Sequence, residues 1–435
     1  MKYGILFNKS NMNIGDDIQA YATGRFLPRI DYFIDREHID SFKPDGDEPV
    51  AVIMNAWYMW QKWNWPPSEY IYPLMTGFHY ADHQLANQWY GTPIKYEFLS
   101  GIGGEYLNAY GPVGCRDMFT MNNLKSVGVD AFFSGCITMT LPKMPERGDK
   151  GSYICVVDVA KKVRDKLHSD LDGKIEIREI SHLRERDESL SWEARVELVE
   201  ELLTVYQNAR CVVTKRLHCA LPCLAMGVPV LLVRGGEDDT RFDPYYDFLY
   251  HSTNDEFVNG AVYDFLNPPA NKEDFREFRD RLIETVTAFI SECGELSGTA
   301  AELKKTSYSA QDVVNWRHDV MKSALELWFN DDHLKHEKEV EKNRKISSLK
   351  ADLKAQKSKT SELKQKIKTK NEKITALREK NAEYKEKLMN KNSKITALRE
   401  KNSALNQRLS DTEAALEALK AESIFKTVKR KLRRK

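Results

Sequence analysis

The 435 residues carry 66 Lys and Arg against 65 Asp and Glu, and 41% are hydrophobic, enough for two or three domains with sizeable cores. The near-zero net charge hides an asymmetry: residues 336–435 hold 30 basic and 14 acidic side chains, leaving 36 and 51 for the rest. An acidic body is unlike a nucleic-acid binder, no apolar run approaches the ~20 residues of a membrane span, and MKYGILFNKS is too short for a signal h-region. Seven Cys without CxxC spacing suit reduced, buried thiols in a cytoplasmic protein.

In chain order, Tyr3–Phe7 reads as a strand. A helix follows, capped by Asp16 or Asp17 and running to about Leu27, where Pro28 stops it. Gly15 permits an unusual turn and a close ligand approach, so Asn13, Gly15 and Asp16 are candidate substrate contacts; turn-and-cap chemistry alone would also account for them. There is no GxGxxG fingerprint. Val50–Ala56 is a buried strand, followed by Trp57, Trp60, Trp63 and Trp65, whose indoles could stack on sugar rings or simply pack a core. Met75–Tyr80 reads as a strand with His79, a minor candidate, at its end. Val113–Cys115 is a strand ending in Arg116, with Asp117 capping a helix that Gly128 terminates. Pro142–Gly151 has the composition of a linker.

A second alternating unit follows: strand Ser152–Val159, helix 160–169, strand Ile175–Ile180 and helix Trp192–Ala209. Cys211–Thr214 and Val228–Val233 are β-branched runs flanking a helix, with Pro222 expected in its first turn and Gly227 at its C′ position. In such a unit ligands collect at the C-terminal strand edge beside the helix N-terminus. Lys215, Arg216 and His218 lie there, and the loop after Val233 carries Arg241. Two cations and an imidazole suit a small polyanion. The fold class expected is α/β: two Rossmann-like domains of the GT-B kind, 1–145 and 151–300, facing a cleft. A helical connector, 301–335, follows, with Trp316 and Trp328 returning onto the body. No His/Cys/Asp spacing asks for a metal.

Three blocks, NIGDDIQA, GPVGCRDMFTMNNLKSVGV and VVTKRLHCALPCLAMGVPVLLV, resemble the polysaccharide pyruvyl transferase family over roughly residues 1–255. The resemblance implies transfer of a pyruvyl group from phosphoenolpyruvate to a sugar, forming a cyclic ketal. Phosphoenolpyruvate is then the donor substrate and no cofactor is needed. It also implies that Arg116, Arg216 and His218 are donor-site residues. Many members carry a Lys soon after the GVP strand, where the nearest match here is Arg241. The chemistry agrees, since a carboxylate and a phosphate invite bidentate guanidinium pairing and an imidazole near ~6.5 can serve as acid or base. The acceptor expected is a surface-polysaccharide precursor, possibly lipid-linked. The alternative is a GT-B glycosyltransferase using a nucleotide sugar.

From Ile346 a heptad takes over. Of its twenty-two a and d positions, fifteen are apolar, and KITALREKN recurs at 373–381 and 394–402, three heptads apart. The repeat places Asn381 and Asn402 at a, which favours a parallel two-stranded coiled coil over 346–420, hence a homodimer. The tail 424–435 has seven basic residues in its last ten, with Ile424, Phe425, Val428 and Leu432 on one helical face. Such an end suits an anionic membrane surface at the inner face of the cell membrane.

Overall fold

The computed structural model describes residues 1–8, 12–59, 64–80, 99–145, 150–185, 187–235, 241–260 and 263–432. Met1–Asp332 forms one compact unit and His333–Lys435 a second. In chain order, β1 (Lys2–Phe7) leads into α1 (Ile14–Gly24), and β2 (Tyr32–Asp35), β3 (Val50–Ile53), β4 (Trp57–Tyr58), β5 (Ile71–Leu74) and β6 (His79–Tyr80) follow. The all-parallel order β2-β1-β3-β5 makes the first sheet, while β4 and β6 pair apart from it. The single strand expected over Met75–Tyr80 is corrected: the strand that joins the sheet, Ile71–Leu74, ends just before that span, and within it only His79–Tyr80 is a strand, after Gly77 at φ +60.

Next come α2 (Gly101–Ala109), β7 (Val113–Cys115), α3 (Met118–Ser126) and β8 (Ala131–Phe133), with β7 and β8 a parallel pair. The second sheet combines β9 (Tyr153–Val157), β10 (Glu176–Ile180), β11 (Val212–Thr214), β12 (Val230–Arg234) and β13 (Tyr250–Thr253) in the order β10-β9-β11-β12-β13, again all parallel. Its crossings include α4 (Lys161–Leu171), α5 (Trp192–Asn208) and α6 (Leu217–Met226). Along β9, Tyr153, Cys155 and Val157 enter one apolar cluster and Ile154 and Val156 another; Leu232 and Val233 divide in the same way. Burial on both faces is why these strands read as unbroken apolar runs. The larger cluster is shared by both sheets, joining Ile18, Val52 and Ile137 to Leu221 and Leu232.

Two local expectations are corrected. Asn13, and not Asp16 or Asp17, caps α1, its Oδ1 accepting the Gly15 N–H at 3.1 Å. The two carboxylates fall instead in the first turn, which the helix dipole favours, and the helix ends at Gly24. Pro222 lies in the second turn of α6 and so offers no N–H to the His218 carbonyl; Gly227 ends the helix at φ +74 as expected.

Beyond α7 (Asn254–Val258), α8 (Arg276–Glu295) and α9 (Ala300–Leu303), α10 runs Ala310–Leu432. Its first turns pack on the body as expected. Arg317 donates to the Trp65 carbonyl and pairs with Asp40 at 2.9 Å, and a Cβ on Gly101 would meet the Trp316 Nε1 at 2.6 Å. The Trp328 side chain, Trp60, Trp63 and part of the 142–151 linker lie outside the described residues. In the second unit all fifteen apolar a and d side chains are exposed, Leu377 and Leu398 by 66% and 65%. Among the described residues no helix is long and apolar enough to cross a membrane.

Candidate functional site

A cavity of about 360 Å³ opens at the C-terminal edge of the second sheet. Lys215, Arg216, Leu217 and His218 follow β11, Arg234 and Gly235 end β12, and Asn254 follows β13. The first half of the chain closes the opposite side with Asn13 and Asp16 of the α1 start, Trp57 of β4 and Arg116 after β7. This is where parallel α/β sheets collect ligands, because loops diverge there and helix N-termini point in.

Every candidate site residue except Gly15 and the minor candidate His79 lines the cavity. Gly15 stands one layer behind. A Cβ there would lie 3.2 Å from the His218 Cβ and Nδ1, so the glycine lets the His218 ring seat against α1. Asn13 is pinned to the second half by an antiparallel bridge to Leu183, with Ile14 N–H donating to the His182 carbonyl at 3.0 Å. His79 does not line the cavity. It is buried, donates Nδ1–H to Asp117 at 2.5 Å, and sits 5.0 Å from the Trp57 ring. Burial lowers its pKa despite Asp117, whose own is lowered by His79 against the effect of burial. Trp57 also receives the Arg241 guanidinium, 4.8 Å from its ring centre. Of the aromatic cluster, Trp57 therefore faces the cavity while Trp65 is wholly buried core.

The cavity is strongly cationic. Among the described residues, Arg116, Lys215, Arg216, Arg234 and Arg241 line it, against one lining carboxylate, Asp16. Arg116 is only 3% exposed and, among the described residues, forms no ion pair; its Nη1 donates to Gln19 Oε1 at 2.7 Å. Arg216 is steered by Asp158, which accepts its Nε–H at 2.8 Å and the His182 backbone N–H at 3.0 Å. Asp158 holds φ +52, an uncommon backbone state for a non-glycine residue, at the end of β9. His218 Nδ1 lies 3.3 Å from Gln19 Nε2, while its Nε2 is without a hydrogen-bond partner among the described residues. Burial first, then the electrostatics of its surroundings with Arg116 foremost, push its pKa well below 6.5.

Sequence reasoning missed Asp158, Gln19 and Asn55. Gln19 had a signal, standing one helical turn after Gly15 within NIGDDIQA; Asp158 and Asn55 had none.

The family model for polysaccharide pyruvyl transferase matches residues 13–236, just over half of the chain. The chain belongs to the polysaccharide pyruvyl transferase family. It is a transferase, and its family implies a sugar acceptor. The match begins at the α1 cap and ends just past β12, so it takes in Arg116, Arg216 and His218 but stops short of Arg241. No curated protein matches the chain. Among solved structures, a functionally uncharacterized protein from Klebsiella pneumoniae subsp. pneumoniae NTUH-K2044 is similar at 12% identity and a TM-score of 0.29. That match covers 56% of this chain and 88% of that one.

Proposed function

We propose that this pyruvyl transferase moves a pyruvyl group from phosphoenolpyruvate to a sugar of a surface-polysaccharide precursor, forming a ketal and releasing phosphate. The observation that carries the reading is the cationic cavity shared by the two halves, which His218 also lines. Phosphoenolpyruvate brings a carboxylate and a phosphate. Arg116 and Arg216 take these by charge-assisted pairing, with Lys215 and Arg241 adding charge at the rim. Two sugar hydroxyls add at C2 of the donor. One hydroxyl proton ends on the methyl carbon and the other on the departing phosphate, so the balance closes without a cofactor. His218 is the catalytic residue of this reading, Arg216 acts with it, and Trp57 offers an indole face for the acceptor ring. Asn13 and Asp16 line the α1 side of the same cavity.

Each sheet supports one Rossmann-like domain, 1–145 and 151–300. The second unit pairs in parallel with that of a second copy, through the exposed a and d stripe and the in-phase Asn381 and Asn402. Residues 424–435 hold the enzyme at the inner membrane face, where a lipid-linked acceptor would be found. The test is phosphate release from phosphoenolpyruvate across a broad panel of glycan acceptors, with thermal-shift measurements beside it. Stabilisation by phosphoenolpyruvate together with acceptor-dependent turnover supports the reading. Stabilisation by nucleoside diphosphates alone would overturn it in favour of a nucleotide-sugar enzyme.

A further inference from the structure

Gln19 connects the two halves of the cavity. It is 5% exposed, on α1, and its carboxamide meets groups from three other segments of the chain. Oε1 accepts from Arg116 Nη1 at 2.7 Å and from Asn55 Nδ2 at 3.3 Å. Arginine has no acceptor, so the atom facing it must be the amide oxygen. Asn55 is oriented in turn, because its Oδ1 accepts the Ile137 backbone N–H at 3.0 Å, leaving its NH2 for Gln19. Both contacts impose the same orientation on Gln19. Its NH2 therefore faces Gly15 O at 3.3 Å, Asp16 Oδ1 at 3.1 Å and His218 Nδ1 at 3.3 Å.

The consequence falls on the imidazole. An amide nitrogen only donates, and although its two hydrogens are shared among Gly15 O, Asp16 Oδ1 and His218 Nδ1, an N–H on Nδ1 would face it donor to donor, which favours the bare acceptor nitrogen at Nδ1. The neutral ring then carries its proton on Nε2, a buried atom without a partner among the described residues, on a residue that lines the cavity. We propose that Gln19 is a positioning residue that fixes the tautomer of His218, so that the ring presents a neutral Nε2–H to the donor and acts as a hydrogen-bond donor to developing negative charge. In that form Nε2 has no lone pair and cannot take a proton from a sugar hydroxyl. Protonating Nδ1 would set its N–H against the amide N–H of Gln19. A neutral imidazole used as an electrophile is an established catalytic device. The tautomer stands on geometry alone, while its use in catalysis rests on the phosphoenolpyruvate reading.

The test separates the two. In full-length protein labelled with ¹⁵N-histidine and free of ligand, with the resonance assigned by loss in His218→Gln, His218 should show a protonated Nε2 and an unprotonated Nδ1 from pH 6 to 8. Gln19→Glu, whose carboxylate accepts, should move the proton to Nδ1 and make the ring titrate at higher pH. Gln19→Leu, which neither donates nor accepts, should yield a mixture of tautomers. A proton on Nδ1 in the wild type, or spectra unchanged in Gln19→Glu, overturns the proposal whatever the donor proves to be. In turnover, Gln19→Glu should reduce kcat at least tenfold and add a limb to the pH profile, with a smaller change in KM. An unchanged kcat and pH profile, with the tautomer confirmed, would overturn the catalytic use alone.

Discussion

At the scale of single residues, the proposed function divides labour in the cavity between charges that would hold a polyanion and one imidazole that would meet it. His218→Ala should lower kcat by about 10²–10³-fold, the usual effect of removing one preorganised donor, while changing donor affinity little. Arg216→Ala and Arg116→Ala should instead weaken phosphoenolpyruvate binding at least tenfold by calorimetry, because each removes a charge-assisted pair worth about 1.5–3 kcal/mol. Near-full turnover in His218→Ala would withdraw the catalytic role. Trp57 supports the Arg241 guanidinium through its ring face. Trp57→Ala should therefore raise the donor KM about 2–5-fold, in line with a cation–π contact of ~0.5–1 kcal/mol, and Trp57→Phe should recover most of that loss.

At the scale of elements, α1 is the hinge-pin of the site, since it touches the first sheet on one side and α5 and α6 on the other. Its carboxylate Asp17 is buried against Arg195 of α5, with Nη1 at 3.3 Å. Burial outweighs that guanidinium and raises the Asp17 pKa from 3.8 to about 6. A folded-state pKa above the unfolded one means the stabilisation is complete below about pH 4 and is lost as pH rises through about 6. The wild type should thus lose on the order of 2 kcal/mol between pH 4 and 7 relative to Asp17→Asn, since two pKa units are worth roughly that much. Urea unfolding followed by tryptophan fluorescence at the two pH values checks this. Parallel slopes for the two proteins would remove Asp17 from the account.

At the scale of the whole molecule, the second unit exposes a heptad stripe that a lone helix has no means to cover. Full-length protein should scatter light as a dimer. Truncation after residue 335 should leave a monomer that still binds phosphoenolpyruvate, and a full-length monomer or a dimeric truncation would remove the coiled coil. Anionic vesicles should sediment the full chain and release it when the basic residues of 424–435 are replaced by Gln, because each cation near headgroups contributes about 1 kcal/mol.

The sequence by itself determined what is local or periodic. The strand at Cys211–Thr214, the helix ended by Gly227, the heptads and the cationic run at 215–218 were legible because each depends on near neighbours or a fixed period. The β-branched apolar runs of β9, β11 and β12 likewise match their burial on both faces. Only the tertiary structure decided which distant residues meet. Gln19, Asn55, Arg116 and His218 are far apart in the chain, and no spacing rule brings an amide, a guanidinium and an imidazole together. The cap at Asn13 was misplaced for a related reason: Asp16 and Asp17 cap as well as Asn does in isolation, and the bridge to Leu183 holds Asn13 at the helix start. Asp158 carried no signal, because its backbone at φ +52 is held by contacts to His182 and Arg216 that exist only once the sheets are assembled.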